Sequence, residues 1–178
     1  MFPFSQGPVL VALDFSAYSE AALAWAASFA ASNDAELVVL HVVHEPAEAP
    51  GYYTNLLHQS GAKASNEMLT IEEAAEKATH HFLRNACAAI PELGDPAELD
   101  IRIVSGVPAT RIVELATELD ARLIVMGSHG RTGLGHLLLG SKAEEVVGKS
   151  PLPVTIVKLP AGERNSSDDR DQSSPKKP

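Results

Sequence analysis

Five short apolar runs punctuate the chain: "VLVAL" (9–13), "LVVLHVV" (37–43), "LDIRIV" (99–104), "RLIVMG" (122–127) and "PVTIVKL" (153–159). Each has the length and the β-branched content of a strand. The segments between them carry helical spacing. In "SEAALAWAASFAAS", Ala22, Trp25, Ala26 and Phe29 recur on one helical face. "TIEEAAEKATHHFLRNACAAI" and "PATRIVELATEL" follow, with Pro108 near a helix start, where its missing N–H costs nothing. "SKAEEVVGKS" is the last helical pattern. Strand and helix alternate throughout, which predicts a parallel sheet with helices on both faces.

The pattern within the runs sorts the strands. The first, second and fourth are almost continuously apolar, as strands covered on both faces are. The third alternates, with Arg102 between Ile101 and Ile103, and the fifth has Pro153 at its start and Thr155 and Lys158 inside. These two read as edges. With right-handed crossovers, the order 3-2-1-4-5 satisfies the sorting: a single five-stranded, doubly wound, Rossmann-like α/β sheet. The winding then reverses between the first and fourth strands, and ligands bind beyond the carboxyl ends of strands at such a point. Asp14 stands at the end of the first run, and a glycine-studded loop begins where the fourth ends.

Composition narrows the class. The length of 178 residues suits one domain, read as residues 1–160, with "AGERNSSDDRDQSSPKKP" (161–178) as a polar tail expected to be disordered. Residues 44–66 form a long connection, part of it expected to be a short helix or a lid. No apolar run is long enough to span a membrane, and the N-terminus has no positively charged leader. The single cysteine, Cys87, precludes an internal disulfide and fits a reducing cytoplasm, so a cytoplasmic protein is expected. The net charge of −9 lies in the globular part, because the tail balances its own charges. Such a surface repels nucleic acid, and an anionic ligand needs a local pocket of donors.

The loop "GSHGRTGLGHLLLGS" (127–141) has that character. It leads from a strand into a helix, whose first turn offers unpaired N–H groups and the positive end of the dipole. Gly140 would admit phosphate oxygens to the backbone, Ser141 adds a hydroxyl and Lys142 adds charge. "GHLLLGSK" misses the P-loop pattern, because serine and lysine are transposed and the loop follows the fourth strand. G-x-G-x-x-G is absent, which argues against a dinucleotide site.

The pattern that matches is G-x2-G-x9-G-[ST], filled by Gly127, Gly130, Gly140 and Ser141. With "VALDFSAYSEAAL" near the start and "LHVV" ending the second run, residues 7–159 resemble the universal stress protein family, in its ATP-binding branch. The resemblance implies that Asp14 holds the ribose. The backbone around Ala12, Leu13 and Val42 would frame adenine together with Met126. Gly127, His129 and Gly130 would line the phosphate loop, and Gly140, Ser141, Lys142 and Ala143 would bind the phosphates. The chain departs from common family forms at Ala12, His129 and Lys142, which are often proline, arginine and valine. ATP, with Mg2+ on its phosphates, is the implied ligand, and the implied role is a stress or signalling module acting on a partner yet to be identified.

Plainer readings stand beside these. Ser141-Lys142-Ala143-Glu144 is also an S-x-x-E capping box, and Asp14 and Ser16 are also candidate N-caps of the first helix. Met126 suits a core, and His41, inside an apolar strand, reads as a satisfied core residue. The histidines make no zinc spacing with Cys87. A slow ATPase or nucleotidyl-transfer enzyme is the rival function, but the glycine loop holds no Asp or Glu and no catalytic set is recognisable. Finally, the apolar 153–159 edge has nothing after it to cover it, so a homodimer pairing through that edge is expected, to be weakened by Thr155→Pro if the Thr155 N–H lies in the shared ladder.

Overall fold

In the computed structural model the alternating runs become, in chain order, β1 (Val9–Leu13), α1 (Ala17–Ser32), β2 (Leu37–Val43), α2 (Ile71–Ala89), β3 (Asp100–Ser105), α3 (Pro108–Glu118), β4 (Leu123–Gly127), α4 (Ser141–Lys149) and β5 (Val154–Val157). The structure describes residues 5–44, 52, 53, 55, 70–130 and 139–159. All strand pairs are parallel, in the order β3-β2-β1-β4-β5. The expected order and both edge assignments hold. β3 begins one residue later than its apolar run, and β5 is shorter than the expected segment. The tail, and all of the long connection except His44, Tyr52, Tyr53 and Asn55, lie outside the described residues.

Successive strand residues face opposite sides of the sheet, so the central strands fill two cores. Val9, Val11, Leu13, Val39 and Val125 pack on the side of α1 and α2. Leu10, Leu40, Val42, Ile124 and Met126 pack on the side of α3 and α4. Leu10, Leu40 and Ile124 are fully buried, each contributing about 1.5–3 kcal/mol relative to exposure. This two-sided burial is why the runs are continuously apolar.

Local sequence explains the helix starts. Thr70 and Glu73 form a capping box at α2, with bonds of 2.9 and 3.2 Å. Pro108 is the first residue of α3, as its position in the pattern implies. α1 faces the sheet with Ala22, Leu23, Ala26, Ala27 and Ala30, small side chains that let the helix lie close. Trp25 does not join that face. It is 38% exposed and stacks on Phe29 with ring centroids 5.1 Å apart, because helical geometry turns it away from the centre of the buried stripe that Ala22, Leu23, Ala26, Ala27 and Ala30 define.

Candidate functional site

β1 and β4 are neighbours, and their carboxyl ends open where the winding reverses. Ala12 pairs with Met126 at that end. Ala12, Val42, Met126 and Ala143 belong to one cluster on the α3/α4 side of the sheet. The side chain of Leu13 lies in the opposite core, so only its backbone can take part in the same site.

Asp14 follows β1 directly. Its Oδ1 accepts from the Ser16 backbone N–H at 3.1 Å and from the Ser16 hydroxyl at 2.6 Å. Ser16 in turn caps α1, accepting from the Ser19 N–H at 3.2 Å. The cap is therefore Ser16, and Asp14 fastens it. The other carboxylate oxygen is turned elsewhere: a Cβ added to Gly130 would lie 2.9 Å from Oδ2. Two positions 116 residues apart thus meet, and only a glycine admits the carboxylate at that distance.

Gly140 makes a second close approach. Its N–H donates to the Ser128 carbonyl at 2.7 Å. A Cβ there would stand 3.1 Å from the same oxygen and 3.3 Å from His129 Cα. The two ends of the glycine loop are thereby locked together at the start of α4. Ser128 is buried and also donates its N–H to the Val157 carbonyl at 2.8 Å, which ties the loop to β5. Gly127 has a packing role: a Cβ would fall 2.8 Å from Cβ of Tyr18 on α1.

The capping box that is the plainer reading of Ser141–Glu144 does not form. Gly140 is the N-cap of α4, no side chain caps the helix, and Ser141 is already its first residue. The chain enters helical geometry one residue earlier than a serine cap requires, with Gly140 held against Ser128. The first helical bond runs from the Glu144 N–H to the Gly140 carbonyl at 2.9 Å. The N–H groups of Ser141, Lys142 and Ala143 thus precede the first helical bond, and the dipole adds to their attraction for an anion.

His129 contacts Ser128 Oγ through Nδ1 at 3.0 Å, and its ring centroid lies 5.2 Å from that of Tyr18. Lys142 is about half exposed, with Nζ a loose 3.9 Å from Glu145. Glu145 is bound more closely by Lys149, at 2.6 Å. That hydrogen bond, with the charges of Lys149 and Lys142, holds the Glu145 carboxyl below the usual range. Gly133 and Gly135, in the middle of the loop, lie outside the described residues. His41 is 2% exposed with both ring nitrogens engaged, as a core histidine should be. Burial, with Asp95 adding a little, pushes the Cys87 thiol up. Among the described residues no group of three or more His, Cys, Asp or Glu could hold a metal ion. A separate hollow of about 840 Å³ lies along β3 and α2 and shares no residue with this site.

Comparison with known proteins agrees with the geometry. The model of the universal stress protein family matches residues 7–158. Universal stress protein MJ0577 of Methanocaldococcus jannaschii is 34% identical over 154 residues, covering 84% of this chain and 93% of that protein. The solved structure of MJ0577 superposes with a TM-score of 0.62 at 29% identity, covering 88% of this chain and 98% of the other. A universal stress protein solved in complex with cAMP gives 0.56 at 27% identity, covering 86% and 98%. The universal stress protein of Archaeoglobus fulgidus in complex with dAMP gives 0.53 at 27% identity, covering 85% and 98%.

Proposed function

The chain belongs to the universal stress protein family, and we propose that it binds ATP and acts as a cytoplasmic stress-response or signalling module whose conformation or assembly follows the nucleotide. One observation carries the reading. Asp14 Oδ2 faces Gly130 beyond the ends of β1 and β4, while Gly140 holds the uncapped first turn of α4 against the same loop. A carboxylate in that position suits a ribose hydroxyl, and the helix N-terminus suits phosphate. Relatives solved with cAMP and dAMP support an adenine nucleotide. Ala12, Val42 and Met126, with the Leu13 backbone, form the frame for the base.

The triphosphate follows from charge. The N–H groups of Ser141, Lys142 and Ala143 and the ammonium of Lys142, only loosely tied to Glu145, oppose the added negative charge. Mg2+ would ride on the phosphate oxygens, where it would neutralise charge. Residues 1–160 are the nucleotide-binding unit in this reading. No helix among the described residues is long and apolar enough to cross a membrane, and the acidic surface disfavours nucleic acid.

The assembly part of the proposal is a homodimer through β5, which among the described residues pairs with β4 alone. The condition on the Thr155 N–H is not met. The Pro153 and Val157 carbonyls accept from Ile124 and Ser128 across the β4 ladder. N–H and C=O groups alternate sides along a strand. The Thr155 N–H therefore points into the sheet, and Val154 and Ile156 carry the outward donors.

Mass spectrometry of nucleotide retained by the purified protein, followed by calorimetric titration with ATP and GTP in Mg2+, tests the function. ATP retained, and bound in preference to GTP, is the expected result. A folded protein that carries no nucleotide and gives no heat with ATP would overturn it.

A further inference from the structure

The turn that carries Asp14 is strained. Phe15, the next residue, has φ of +65°, a left-handed conformation that side chains with a Cβ rarely adopt. Such a residue persists only where its surroundings hold it. Here the surroundings are aromatic. The Phe15 ring centroid lies 4.5 Å from that of His41, 5.6 Å from Phe82 and 6.2 Å from Tyr53.

His41 also grips the other side of Asp14. Its Nδ1 lies 2.9 Å from the Leu13 carbonyl, which can only accept, so Nδ1 donates. Nε2 of the neutral ring then accepts from the Tyr53 hydroxyl at 2.9 Å. His41 and Tyr53 are 2% and 3% exposed, so neither bond competes with bulk water. One imidazole thus touches the residue before Asp14 and the residue after it. Its rotation is fixed by a tyrosine from the long connection between β2 and α2.

We propose that His41 and Tyr53 are positioning residues for the Asp14 carboxylate, holding the left-handed turn so that Oδ2 faces the sugar of the bound nucleotide. This rests on the nucleotide reading above and adds to it. Oδ1 is committed to Ser16, so the direction of Oδ2 follows the backbone between Leu13 and Ser16. The His41–Tyr53 pair fixes that backbone from beneath. Ribose selectivity accordingly depends on two side chains that act through the backbone on either side of Asp14.

The test compares ATP with 2′,3′-dideoxy-ATP by calorimetry in Mg2+, using wild type, Tyr53→Phe and His41→Asn. Tyr53→Phe removes one oxygen and keeps the ring against Phe15. His41→Asn keeps a donor near the Leu13 carbonyl and loses the partner of Tyr53. Each variant should lose ATP affinity roughly three- to tenfold, with dideoxy-ATP affinity held within about twofold. The preference for the ribose would then shrink by the same factor. If His41→Asn lacks native far-UV circular dichroism, Tyr53→Phe alone decides. Equal weakening of both nucleotides, or a wild-type ratio in Tyr53→Phe, would mean the pair is structural and overturn the proposal. A wild type that binds ATP but shows no ribose preference overturns the role of Asp14 and this inference with it. A wild type that binds neither nucleotide overturns the nucleotide reading itself.

Discussion

Gly130→Ala is the sharpest probe of the site, because its consequence can be traced to one atom. Gly130 does not have a positive φ, so alanine brings no backbone penalty of that kind. Among the described residues, the only atom within 4 Å of the added Cβ is Asp14 Oδ2, at 2.9 Å, against 3.4 Å for ordinary contact. The oxygen must retreat by about 0.5 Å, the difference between those distances. It cannot do so freely, since Oδ1 is bonded to both the N–H and the hydroxyl of Ser16. Loss of a charge-assisted hydrogen bond to the ribose would cost roughly 1.5–3 kcal/mol. That corresponds to about ten- to hundredfold in Kd. Titration calorimetry with ATP reads the loss, and a thermal melt checks that the fold survives. A double-mutant cycle isolates the cause. In an Asp14→Ala background the new methyl meets no carboxylate, so Gly130→Ala should cost nothing further. Undiminished ATP affinity in the single variant, or an equal loss in both backgrounds, would refute the reasoning.

Three other perturbations follow from the same geometry. Asp14→Ala should weaken ATP by roughly 1–3 kcal/mol and also lower the melting temperature, because Ser16 loses the acceptor that holds its cap. Unchanged ATP affinity with a lowered melting temperature would leave Asp14 as a helix-cap support only. Gly140→Val should abolish detectable ATP binding while far-UV circular dichroism stays native. Its branched side chain must push α4 away from Ser128 and His129, an overpacking cost of about 1–3 kcal/mol, and wild-type affinity in the folded variant would contradict the assignment. Ile156→Pro deletes an outward N–H of β5 and should weaken the dimer, whereas Thr155→Pro should damage the β4–β5 ladder whether or not a dimer exists. Size-exclusion chromatography with light scattering decides between them, and a wild-type protein that is monomeric at micromolar concentration with or without ATP rules the dimer out.

Much of the architecture is written in local pattern. Continuous apolar runs mark strands buried on both faces, and Arg102, Pro153 and Lys158 mark the two edges. Right-handed crossovers then leave few strand orders to choose from. The spaced glycines and Asp14 could be found because chemistry at a strand end needs particular residue types at particular offsets. Other features depend on distances that no local pattern encodes. The meeting of Asp14 with Gly130 joins residues far apart in the chain, and it became visible only once β1 and β4 were neighbours. The serine cap of α4 fails because Gly140 bonds Ser128, a contact across the loop that outweighs the S-x-x-E signal. Trp25 shares helical spacing with Ala22 and Ala26, yet the face that meets the sheet is centred further round, on Leu23, Ala26 and Ala30, and leaves it at the margin. The direction of the Thr155 N–H depends on register with β4, and a shift of one residue would reverse it. His41 shows both sides of the division. Its burial follows from the apolar strand around it, but its partners, the Leu13 carbonyl and the Tyr53 hydroxyl, come from other segments. Burial is an average over neighbours of one kind, whereas a hydrogen bond needs one particular atom in one place, and tertiary packing supplies that place.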